Sequence, residues 1–60
     1  MNLTQLKKYI IDNCSNLSKE DKREINDIWQ YTVSEIEDGE SEENECTLAK
    51  NDIDEILLRR

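Results

Sequence analysis

The sequence predicts an all-α protein, a small antiparallel three-helix bundle that forms a single helical domain over residues 1–60. Apolar residues recur at steps of three and four in three separate stretches, which is the spacing of a helix face and not of a strand. Turn-forming residues separate these stretches, and no proline and only one glycine interrupt the chain. We therefore expect helices at about 3–13, 19–38 and 42–59, joined by short connections.

The first helix is indicated by an apolar stripe near the start of the chain. Its members are Leu3, Leu6, Ile10 and Cys14. Either Asn2 or Thr4 can serve as its N-cap, because both side chains carry an oxygen that accepts a hydrogen bond from a free amide. Residues 13–16 are rich in turn formers, so the first and second helices are expected to form an αα-hairpin.

The second helix is the longest and carries the only tryptophan, so we expect the other two helices to pack around it. Ser18 suits its N-cap, and Gly39 suits its end because glycine enters the left-handed conformation at little cost. Its apolar stripe consists of Ile25, Ile28, Trp29, Val33 and Ile36, with Thr32 inside the stripe. Trp29 lies near the middle, and we expect it to be the central residue of the core.

The third helix has two candidate N-caps. With Ser41 the helix begins at once, whereas with Thr47 the acidic residues 40–46 form a loop. Acidic residues in a first turn suit the helix dipole, which favours Ser41. The apolar stripe that follows consists of Cys46, Ala49, Ile53 and Ile56. Leu58 lies well off this stripe by helical geometry.

The residues available for chemistry argue against an enzyme. Cys14 and Cys46 fall at opposite ends of an antiparallel bundle, beyond the roughly 7 Å between Cα atoms that a disulfide spans, so two free buried thiols are expected. The chain has no histidine, which removes the usual base and the commonest zinc ligand. An EF-hand register with Gly39 at its sixth position places Ile36 at a ligand position, where it offers no oxygen. We expect no catalytic, cofactor-binding or metal site.

The charge is concentrated in the second half of the chain. Residues 1–30 carry five basic and five acidic residues, whereas residues 31–60 carry three basic and ten acidic residues, so the formal net charge of −7 arises there. Such a surface argues against direct binding to nucleic acid or to anionic membranes, both of which attract lysine and arginine. It favours a partner with a basic surface.

An acidic stripe runs along one face of the second helix and continues into the residues that follow it. The candidate partner-binding residues are Glu20, Glu24, Asp27, Tyr31, Glu35, Asp38, Glu40, Glu42, Glu43 and Glu45. One interpretation is a solvated surface that keeps a small protein soluble, with Arg23 pairing locally to Glu20 and Asp27. The other is a ligand for a basic, nucleic-acid-binding groove of a partner protein.

The second interpretation has analogies but no matching motif. Small acidic proteins that imitate the charge of nucleic acid include phage inhibitors of host defence, among them some anti-CRISPR proteins. Residues 36–41, followed by a short helix, also resemble the acidic tail of small bacterial antitoxins, whose partner would be a basic toxin nuclease. The alternative is a structural or regulatory helical module that binds a partner, or itself, through apolar helix edges.

Two further expectations concern assembly and location. A 60-residue chain buries only about 60% of the surface that its unfolded form exposes, so a second copy would add stability. Tyr9, Ile11 and Leu58 lie off their stripes and are candidate homodimer contacts. The chain has no apolar run of membrane-spanning length, and residues 1–8 lack the apolar region of a signal peptide, which predicts a cytoplasmic protein.

Overall fold

The computed structural model describes residues 1–59, and Arg60 lies outside the described range. Within residues 1–59 there are three α-helices and no strand, so the predicted all-α three-helix bundle is confirmed. The helices are α1 (Leu3–Asn13), α2 (Lys19–Glu37) and α3 (Glu42–Leu58).

Each helix begins at a side chain that caps its first turn. The side chain of Asn2 accepts a hydrogen bond from the Gln5 amide at 2.9 Å, and the Gln5 side chain accepts one from the Asn2 amide, which completes a capping box. Ser18 caps α2 and Ser41 caps α3 by accepting from the amide three residues later. The choice between Ser41 and Thr47 is therefore settled for Ser41, and residues 42–46 belong to α3.

The end of α2 is a Schellman motif around Gly39. The Gly39 amide donates to the Ile36 carbonyl at 3.1 Å, and the Glu40 amide donates to the Glu35 carbonyl at 3.0 Å. Gly39 has φ of 105°, a conformation that side chains other than glycine rarely adopt. This turn reverses the chain within a few residues and places the start of α3 against α2.

The core is centred on α3 and not on α2. Its buried residues are Leu6, Cys14, Leu17, Ile25, Cys46, Ala49, Ile53 and Ile56, of which the last four belong to α3. Leu6, Cys46 and Ile53 have no exposed surface. The expectation that the other helices pack around α2 is therefore wrong, because α3 supplies the side chains that both α1 and α2 cover.

Trp29 is not the centre of this core. It is partly exposed and packs against the edge of the buried cluster. The buried positions of α2 are Ile25 and Thr32, and the Thr32 hydroxyl is satisfied because it donates to the Ile28 carbonyl at 2.8 Å. Trp29 remains partly exposed because α2 packs chiefly on α3. This packing buries the side of the apolar stripe that bears Thr32, whereas the side that bears Trp29 faces α1.

The contacts of α1 with α3 include one buried side chain and one polar cluster. Leu6 is the buried residue of α1. Tyr9 donates a hydrogen bond to the Asp54 carboxylate, which also receives one from Lys50 at 2.9 Å, and the Lys50 ammonium lies 4.8 Å from the centre of the Tyr9 ring. Tyr9 thus has contacts within the chain, which removes one motive for placing it in a dimer interface.

Both cysteines are buried and free, as expected. Burial raises the pKa of the Cys14 and Cys46 thiols, since the interior disfavours the thiolate. Nearby carboxylates, Asp54 for Cys14 and Glu42 for Cys46, act in the same direction. The two thiols therefore behave as small apolar core groups of low reactivity.

Candidate functional site

A shallow acidic groove of about 530 Å³ lies between α2 and α3. Its charged and aromatic lining consists of Glu24, Asp27, Tyr31 and Glu35 from α2, and Glu45 and Asp52 from α3. The rest of its lining consists of the apolar residues Ile28, Leu48 and Ala49, together with Thr32. Five of the ten predicted partner-binding residues therefore meet at one surface, which is called the acidic groove below.

Tyr31 occupies the middle of the acidic groove along α2. Its side chain is 64% exposed, and that of Leu48 across the groove is 57% exposed. A hydrogen bond to Glu35, the charge of Glu35 and the negative charges of Glu45 and Glu40 raise the pKa of Tyr31. An exposed aromatic ring among carboxylates suits a guanidinium or ammonium group, since the ring face and the carboxylates both attract a cation.

One carboxylate of the acidic groove is already paired. Glu24 accepts a hydrogen bond from Arg59, whose guanidinium also lies 3.9 Å from Asp21. This contact ties the end of α3 to the first turns of α2, instead of the local pairing of Arg23 that the sequence suggested. Within residues 1–59, the other four carboxylates of the groove make no ion pair.

The other five predicted residues do not line the acidic groove, although the charge of one of them, exposed Glu40, acts on Tyr31. Glu20 lies in the first turn of α2 and Asp38 caps its last turn, and both are exposed. Glu42 accepts a hydrogen bond from the Leu3 amide at 2.8 Å, so its carboxylate satisfies a free donor at the start of α1. Glu43 lies beside it on the same surface near the N-terminus.

The acidic stripe is consequently divided. Glu24, Asp27 and Glu35 of α2 line the groove with α3. Glu42 and Glu43, in the first turn of α3, lie instead beside the start of α1. The prediction of one continuous acidic stripe over a full helix length is therefore wrong, because Glu42 and Glu43 lie on the surface near Met1 and not in the acidic groove.

Sequence reasoning missed Leu48 and Asp52. Both follow Glu45 on α3 at steps of three and seven, which places the three on one helix face. That spacing was visible in the sequence, but only the packing of α2 on α3 shows that this face adjoins Tyr31.

A second concave surface lies on the other side of α2. It has a volume of about 510 Å³ and lies between α1 and α2, which contact each other less than either contacts α3. Its lining consists of Lys7, Ile10, Ile11, Cys14, Ser15, Lys22, Ile25, Asn26 and Trp29. This surface, called the lysine groove below, exists because the helix pair is open on the side away from α3.

No group of three or more histidine, cysteine or acidic side chains within residues 1–59 is arranged to hold a metal ion. Across the same residues, no helix has both the length and the apolar character needed to cross a membrane. No protein-family model, curated protein or solved structure matches the chain at a significant level.

Proposed function

We propose that this protein is a non-enzymatic protein-binding module that uses the acidic groove to bind a basic surface of a partner protein. The observation that carries the proposal is the set of five carboxylates around exposed Tyr31 and Leu48, with no cationic side chain among the described residues that line the groove.

The mixture of apolar and acidic lining supports a protein partner over a free cation. Tyr31 and Leu48 offer surface whose burial against a partner is favourable, and tyrosine is among the residues that contribute most at interfaces. The carboxylates around them attract lysine and arginine, speed association and set orientation more than they add affinity. A partner would thus present a basic surface with an apolar or aliphatic component, such as arginine and lysine stems.

Nucleic-acid-binding proteins are the class of partner that we favour, because their binding surfaces are concentrations of lysine and arginine. In this proposal the acidic groove occupies such a surface and blocks it, and the protein itself binds neither nucleic acid nor membrane. A cytoplasmic location fits this role.

The test uses two double variants that change the net charge equally. Glu35→Gln with Glu45→Gln neutralises the acidic groove, whereas Glu37→Gln with Glu43→Gln neutralises two exposed carboxylates outside it. Each protein is immobilised, exposed to host lysate at low and high salt, and the bound proteins are identified and assayed for nucleic-acid binding.

The proposal expects basic, nucleic-acid-binding partners that elute with salt, since screening weakens exposed charge pairs. It also expects the groove variant to lose them and the control variant to keep them. Equal loss in both variants would show that only bulk negative charge matters, and retention in both would rule out the acidic groove as the site.

A second candidate function has its own observation. Leu58 is 82% exposed at the end of α3, and a helical module that binds itself or a partner through an apolar helix edge would bury this side chain. Such binding depends little on salt, so the same salt series separates the two functions.

A further inference from the structure

The lysine groove combines an apolar floor with a local charge that opposes that of the whole chain. Ile10 and Ile11 from α1 face Ile25 and Trp29 from α2. Ile11 is 62% exposed and Trp29 is only partly buried, so apolar surface remains accessible on both walls. Burial of such surface against a partner is the main source of favourable free energy in association.

The charged residues of this groove are both basic. Lys7 lies near the middle of α1 and Lys22 lies in the first turns of α2, so each wall carries one exposed ammonium group. Among residues 1–59, no carboxylate lines the groove. The whole chain has a net charge of −7, but this surface carries two lysines and no acidic residue. It therefore suits an acidic occupant, whereas the acidic groove suits a basic partner.

We propose that the lysine groove binds an amphipathic helix of a partner protein, with acidic residues flanking the apolar stripe of that helix. The groove is bounded by two helices, and α3 lies on their other side, so an added helix completes a four-helix arrangement. Its apolar stripe would contact the isoleucines and Trp29, as in other helix-in-groove complexes. Its acidic flanks would meet Lys7 and Lys22.

The same charges argue against a symmetric dimer through this surface. A two-fold interface places the same surface patch of both copies together. Two lysine grooves in contact would bring four ammonium groups into one interface with no carboxylate from the described lining, which is unfavourable. A second copy of this surface is therefore a poorer occupant than a helix whose flanks are acidic.

The test uses two synthetic peptides of about 18 residues with identical leucine stripes at helical spacing. One carries glutamate on both flanks of the stripe, and the other carries lysine. Binding is followed by the fluorescence of Trp29, which is the only tryptophan and lines the groove, and by amide chemical shifts that locate the peptide.

Comparison of the two peptides shows whether the charge of the groove or the net charge of the whole chain decides which peptide binds. Overall charge favours the lysine peptide, whereas the proposal expects the glutamate peptide to bind more tightly at the groove and to shift the amides of Lys7, Lys22 and Trp29. Perturbation of these amides by the lysine peptide alone, or by neither peptide, would overturn the proposal.

A charge-reversed variant, Lys7→Glu with Lys22→Glu, provides the second arm. Both side chains are exposed, so the fold should persist, and an unchanged circular dichroism spectrum checks this. The variant is expected to bind the glutamate peptide roughly tenfold more weakly and to gain affinity for the lysine peptide. Unchanged affinity for the glutamate peptide would show that the lysines do not select the occupant. Since the acidic groove is unaltered, binding of its basic partner should persist in this variant.

Discussion

Leu6→Ala is the substitution that most directly tests how α1 is held to the rest of the bundle. Leu6 has no exposed surface, and it is the buried residue of its helix. Truncation of a buried leucine to alanine costs about 2.7–5 kcal/mol, depending on how far the cavity collapses. At about 0.05–0.15 kcal/mol per residue, a chain of this length has about 3–9 kcal/mol of stability in total. The variant should therefore lose a large fraction of its stability, and α1 should undock from α3.

The assay is urea denaturation followed by circular dichroism at the helical minimum, with Ile11→Ala as the matched control. Ile11 lies on the same helix but is 62% exposed, so its truncation should change the free energy of unfolding by no more than about 0.5 kcal/mol. Equal destabilisation by the two variants would refute the assignment of Leu6 to the centre of the core, because the two positions differ chiefly in burial.

Three further predictions concern the turn, the polar cluster and assembly. Gly39→Ala should lower the free energy of unfolding, measured in thermal or urea melts, by about 1 kcal/mol. The reason is that φ of 105° is strained for alanine, although no atom lies within 4 Å of the added carbon. An unchanged melt would contradict the left-handed conformation of Gly39. Tyr9→Phe should cost about 1 kcal/mol at neutral pH. Hydrogen bonds from Tyr9 and Lys50 lower the pKa of Asp54, so the stability that Asp54 contributes is present above its unfolded pKa and is lost as pH falls through the lowered folded pKa. The difference in the free energy of unfolding between Tyr9→Phe and the parent should become smaller in that acid range. A difference that stays constant with pH would argue against the hydrogen bond between Tyr9 and Asp54. Sedimentation equilibrium at micromolar concentration should show a dimer that Leu58→Ser disrupts, whereas a single 7.1 kDa species would exclude it.

The helices themselves could be predicted from the sequence because their signals are local. Ser18 and Ser41 bond to amides three residues away, and Gly39 accommodates the turn through its own backbone. Apolar spacing defines which residues share a helix face, and that geometry holds in any α-helix. The free thiols followed from the antiparallel order of the helices, which separates Cys14 from Cys46.

Only the tertiary structure decided which part of each face is buried. The stripe of α2 is wider than one contact surface, so periodicity alone could not choose between Trp29 and Thr32 as its inner side. Close packing of α2 on α3, where Thr32 and Ala49 are both small and buried, selects Thr32. The same choice leaves Trp29 in the lysine groove and brings Tyr31 and Glu45 together in the acidic groove, since rotation of one helix moves every side chain on it at once.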